Sequence, residues 1–91
     1  MEGNIQAFIS YLGKERSASY NTQISYERDL KKLKEYLVKQ GIFYVQEVSE
    51  TSLNSYVLFL EKEGKAASTV SRYIASFKGF FEYCLKHGVI R

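Results

Sequence analysis

Residues Ser68 to His87 read S-T-V-S-R-Y-I-A-S-F-K-G-F-F-E-Y-C-L-K-H, and Gly88 follows. Val70, Ile74, Phe77, Phe81, Cys84 and Leu85 recur there at three- and four-residue steps. That period predicts a helix with one face turned to a core. Lys65, Thr69, Arg72, Ser76 and Tyr83 fall on the other side. Ser68 is placed to cap the start, and Gly88 to stop the end. The outer face is small, hydroxylated and basic, chemistry that suits phosphates and base edges. A merely solvated polar face is the competing reading.

The same logic works outward from this helix. Just upstream, Leu53, Tyr56, Val57 and Leu60 make a shorter stripe that Gly64 ends. Ser49-Glu50-Thr51-Ser52 offers several caps for a start near Thr51 or Ser52, and Lys65-Ala66-Ala67 is the turn between the two helices. A longer stripe of Tyr26, Leu30, Leu33 and Leu37 predicts a helix from Tyr20 or Asn21 to Gln40, capped by Ser19 or Asn21 and closed by Gly41. Opposite that stripe lie Asn21, Ser25, Arg28, Lys32 and Lys39, with Ile24 beside them. This face is hydrogen-bonding near its start and basic further along. Lys31, Lys32 and Lys34 also read as solvated lysines, with Glu27 and Glu35 pairing to neighbours about four residues away. Ile5, Phe8, Ile9 and Leu12 predict a first helix from Asn4, its cap, to Glu15. Ile42-Phe43-Tyr44-Val45 has no candidate partner strand, so it reads as an apolar connector tucked under the bundle together with Val48.

Four helices on short loops, in a chain of 91 residues, predict one all-α domain of orthogonal or bundle-like form. The chain has no proline, which leaves long helices uninterrupted. Its single cysteine, Cys84, lies on the apolar face and reads as a buried structural thiol. No run approaches the roughly 18 apolar residues of a membrane span, and Met1-Glu-Gly-Asn is no signal peptide. The composition fits the cytoplasm. A net charge of +3 decides little, but its distribution says more. Between Ile42 and Glu63 four glutamates face one lysine; from Lys65 to Arg91 five cations face one glutamate. Such a split implies a basic face and an acidic back.

Nothing in the sequence assembles an active site or calls for a cofactor. One histidine and one cysteine do not make a typical zinc site, and no phosphate-cradling glycine motif is present. The carboxylates are scattered. None of the eight tyrosines has the histidine and arginine neighbours that would activate a nucleophile.

Two motifs fall into register. The second helix carries T-x-x-x-Y-x-x-D-L as Thr22, Tyr26, Asp29 and Leu30. The last helix is entered by Ala67-Ser68-Thr69, followed by Arg72 and the aromatic pair Phe80-Phe81. Together, from Ile5 to Ile90, they resemble the N-terminal core-binding domain of the tyrosine recombinases, the phage-integrase family that includes the Xer type.

The resemblance implies a SAM-like bundle of four or five helices forming one half of a C-shaped clamp around duplex DNA. It implies that the starts of the second and fourth helices meet the major groove and its phosphates. The residues implicated are Asn21, Thr22, Ile24, Ser25 and Arg28 on the second helix, with Lys32 on the same outer face. On and before the fourth they are Lys65, Ser68, Thr69, Arg72 and Ser76. Thr22 lies at the edge of the core face, where a local backbone bond is its competing role; Tyr26 and Leu30 are core positions. The family's catalytic residues belong to a second domain, so this chain is expected to bind DNA and not cut it. Its expected partners are double-stranded DNA, that catalytic domain and other recombinase protomers assembled on DNA; no membrane is among them. Two rivals stand beside this reading. A helical protein-interaction module would need an exposed apolar patch, for which Ile24, Tyr44 and Tyr83 are candidates on different faces. A helix-turn-helix regulator would bring Glu61 and Glu63 close to the DNA backbone.

Overall fold

The computed structural model describes all 91 residues. Helix α1 spans Glu2–Glu15, α2 Tyr20–Lys39, α3 Glu50–Lys62 and α4 Ala67–Lys86, with one 3₁₀ turn at Val45–Glu47 and no strand. The fold is the all-α bundle expected.

Local chemistry sets the boundaries. Ser19 caps α2 by accepting the Thr22 N–H at 3.1 Å, and Ser49 caps α3 by accepting that of Ser52 at 3.1 Å. Gly41 and Gly64 end α2 and α3 at φ of 81° and 82°, a left-handed turn costly for any residue with a Cβ. Two starts differ from expectation. Helix α1 begins two residues before Asn4 takes its place in it, because the Met1 carbonyl already accepts the Ile5 N–H at 3.1 Å. Helix α4 begins before Ser68. Its cap is Ala66, which lends no side-chain bond, and the Ala66 carbonyl accepts from Val70 at 3.0 Å.

Helix α4 packs against α1, α2 and α3. Its buried residues are Val70, Tyr73, Ser76, Phe77, Phe80 and Cys84. The expected apolar stripe is therefore turned. Phe80, at 0% exposure, sits deeper than Phe81, while Leu85 is 58% exposed. The reason is that α1 and α2 cover the Tyr73–Phe80 side: the Phe8 and Phe80 rings lie 5.7 Å apart. Tyr83 is not on an outer face either. It is half-buried, with its ring 5.0 Å from Tyr11 and 4.4 Å from His87. Within the connector only Val45 is buried; Phe43 and Tyr44 face solvent.

Cys84 is the buried structural thiol expected, and burial pushes its pKa up from 9.0 to about 11. A raised folded-state value means that stability from keeping the thiol neutral is full below about pH 9 and is lost as pH rises toward 11. At pH 8 the buried native thiol stays protonated. Labelling by a thiol reagent at that pH should therefore be slow in buffer and fast in denaturant. Equal rates would show that Cys84 is accessible.

Candidate functional site

Helix α2 has two polar flanks, and the structure gives them different work. One flank meets α1. There Lys34 pairs with Glu2 at 3.2 Å, and Glu27 takes both the Gln6 amide at 2.6 Å and Lys31 at 3.7 Å. The Lys34 hydrogen bond holds the Glu2 carboxyl below its ordinary value. The pairing expected of Glu27 is thus present. The other flank carries Asn21, Ser25, Arg28, Lys32 and Lys39; its first turns meet α4, and its end borders α3. Neither Arg28, Lys32 nor Lys39 has an acidic partner within salt-bridge distance, and neither does Lys65.

Contacts along the α2–α4 seam run in opposite chain directions. Tyr26 lies beside Gly79, and Asp29 beside Ser76 and Arg72. Lys32 and Lys39 share a cleft with Lys65, just before α4 begins. The start of α2 therefore lies beside the middle of α4, and the start of α4 lies toward the far end of α2. Two depressions lie along this flank of α2, the first against α4 and the second against α3. The first gathers Asn21, Thr22, Ser25 and Arg72 over Asp29 and Ser76. The second gathers Lys32, Lys39 and Lys65 at the rim of an aromatic floor of Tyr36, Tyr56 and Phe59, with Glu35 and Glu63 also on its wall. Burial pushes the Tyr56 phenol up, so that side chain stays neutral.

Beneath the first depression is a polar network. The Asp29 carboxylate is 2% exposed, and Arg72 grips it with Nη2 at 3.0 Å and Nε at 3.2 Å. Ser76 Oγ lies 2.9 Å from Asp29 Oδ2 and 3.1 Å from the Arg72 carbonyl. Its one proton serves one of these acceptors at a time.

The implicated residues divide accordingly. Asn21, Thr22, Ser25 and Arg72 share the first depression, and Lys32 and Lys65 the second. Ile24, Arg28, Ser68 and Thr69 line neither; Ile24, Arg28 and Ser68 are exposed and Thr69 is half-buried. Ser76 departs from expectation. It is 4% exposed and acts on Asp29, because the buried arc of α4 is broader than its apolar stripe. Thr22 stays exposed, its Oγ1 accepting from the Ser19 hydroxyl at 2.9 Å. Sequence reasoning passed over Asp29 as a partner for Arg72. The available signal was an acid beside the core residue Leu30, since a charge at such a position needs a counter-ion.

Comparison with known proteins agrees with this architecture. A family model described as the phage integrase N-terminal SAM-like domain matches residues 5–88. Tyrosine recombinase XerD of Listeria monocytogenes serotype 4b is 36% identical over 89 residues, which is 97% of this chain and 30% of the relative. Tyrosine recombinase XerC of Listeria welshimeri is 33% identical over 90 residues, 98% of this chain and 30% of the relative. Tyrosine recombinase XerC of Herpetosiphon aurantiacus is 34% identical over 83 residues, 91% of this chain and 27% of the relative. The chain thus spans about 30% of the length of the curated relatives it matches. No solved structure gives a significant match. The chain belongs to the phage integrase N-terminal SAM-like domain family, the N-terminal domain family of tyrosine recombinases.

Proposed function

We propose that this domain binds duplex DNA on the outer flank of α2, along its seam with α4 and the adjoining cleft with α3, as the DNA-gripping part of a site-specific tyrosine recombinase. The observation that carries the reading is the partition of cations on α2. Lys31 and Lys34 are paired with glutamates on the α1 flank, while Arg28, Lys32 and Lys39 stay unpaired on the other flank, joined by Lys65. Unpaired cations on one ridge displace condensed counterions from a phosphate backbone. The short side chains of Asn21, Thr22 and Ser25 let the backbone approach closely, so they position more than they specify. Strand cleavage and rejoining belong, in this reading, to a catalytic domain of the same recombinase, and further protomers join on the DNA. No helix is long and apolar enough to cross a membrane.

A specific observation also favours a protein contact elsewhere. Leu53, Val57, Ile74, Phe81 and Leu85 line an apolar groove between α3 and α4, on the opposite flank of α4 from Arg72. An interaction module would use that groove and leave the cationic ridge idle.

Titration of labelled duplex at several salt concentrations separates the two. With four to six phosphate contacts, log K should fall with log salt at a slope of roughly −4 to −5, with a non-specific Kd on the order of 10⁻⁴ to 10⁻⁶ M. Lys32→Ala and Lys65→Ala should each flatten the slope by about one unit. Lys31→Ala, and Lys62→Ala on α3, should change little. Salt-independent binding, or none in low salt, refutes the DNA reading.

A further inference from the structure

We infer that Asp29 is a positioning residue for a single phosphate seat in the first depression: it holds the Arg72 guanidinium by one edge so that the other edge meets a backbone phosphate. This rests on the seam being the DNA-binding surface. Arginine has five N–H donors in a rigid fork. Two of them are engaged, through Nε and Nη2, by the Asp29 carboxylate. Nη1 has no partner, and the side chain is 47% exposed, so the remaining donors face the cleft that Asn21 and Ser25 line from α2. The guanidinium carbon also lies 5.0 Å from the centre of the Tyr73 ring. A side chain held from two sides loses little freedom when a phosphate arrives. Asp29 cannot itself touch that phosphate, because it is buried and carries the same sign of charge. Ser76 supports the carboxylate from α4.

The two roles open to a buried acid beneath a cation predict opposite signs. If Asp29 only neutralises Arg72, Asp29→Asn adds one positive charge to the seam and tightens DNA binding. If it positions Arg72, the same change weakens binding in spite of the added charge.

The test is a duplex titration of the whole chain, with thermal melts confirming that each variant is folded at the assay temperature. Asp29→Asn should weaken binding about fivefold to tenfold. Ser76→Ala, which changes no charge, should weaken it by about two- to threefold. Arg72→Lys keeps the charge but loses the fork, and should cost about tenfold. Arg91→Lys, at an exposed arginine that is not on the outer flank of α2, should bind as the wild type does. That contrast is one a purely structural role would not produce. Wild type that fails to bind in low salt overturns the DNA reading itself. Wild type that binds, with Asp29→Asn equal or tighter, overturns the positioning role alone, as does Arg72→Lys behaving like Arg91→Lys.

Discussion

A Phe80→Ala variant is expected to lose about 3–5 kcal/mol of stability, whereas Phe81→Ala loses roughly half as much or less. Phe80 has no exposed surface, and its ring sits 5.7 Å from Phe8 and 5.1 Å from Phe81. It fills the space where α1 meets α4, so its removal leaves a cavity walled by helices that cannot easily close. Phe81 is only partly buried and borders the open α3–α4 groove, where water replaces the lost contacts. A domain of this size holds roughly 5–14 kcal/mol in all, so Phe80→Ala consumes a large share. The melting temperature should fall by more than about 12 °C, given 4–8 °C per kcal/mol for small domains. Circular dichroism melts of both variants give the ranking. Equal losses, or a larger loss for Phe81, would mean that α4 presents a different face to α1.

That pair of phenylalanines shows where a sequence stops being legible. Four helices, their glycine stops and two serine caps follow from periodicity and local hydrogen bonding, which act over a few residues. The facing of α4 does not, because Phe80 and Phe81 are equally apolar and adjacent. Only the arrival of Phe8 from α1 decides between them. The lysines of α2 pose the same problem. Lys31, Lys32 and Lys34 look alike in the chain, but Glu27 takes one, Glu2 another, and Lys32 stays free. The link from Asp29 to Arg72 spans 43 residues and has no local signature. Arg72 lies on the outer face of the α4 wheel, as expected. A half-exposed arginine can still hold a buried partner, since its long side chain reaches past the edge of its own helix face.

Arg72→Met should therefore cost stability as well as DNA affinity, and a double substitution should tell the two apart. Removing the guanidinium leaves the Asp29 carboxylate, 2% exposed, with only the Ser76 hydroxyl beside it. Breaking a fully buried pair from one side costs about 3–5 kcal/mol; the half-exposed guanidinium here is partly screened by water, so about 2–3 kcal/mol is expected. Asp29→Leu is the milder break, at about 1 kcal/mol, because the freed arginine can turn into solvent. Combining Asp29→Leu with Arg72→Met removes both charges and offers two apolar side chains to each other. Such replacements of an ion pair are often neutral, so the double variant should recover most of the stability lost in Arg72→Met, giving a coupling energy of about 2 kcal/mol. Denaturant melts of the four proteins close this cycle. DNA binding should not recover with it: the double variant folds but has lost the fork, and stays about tenfold weaker than wild type. Recovery of both together would mean that Arg72 served DNA binding only by holding the bundle shut. Recovery of neither would mean that Leu and Met do not fill the space between α2 and α4, and the coupling would then belong to packing rather than charge.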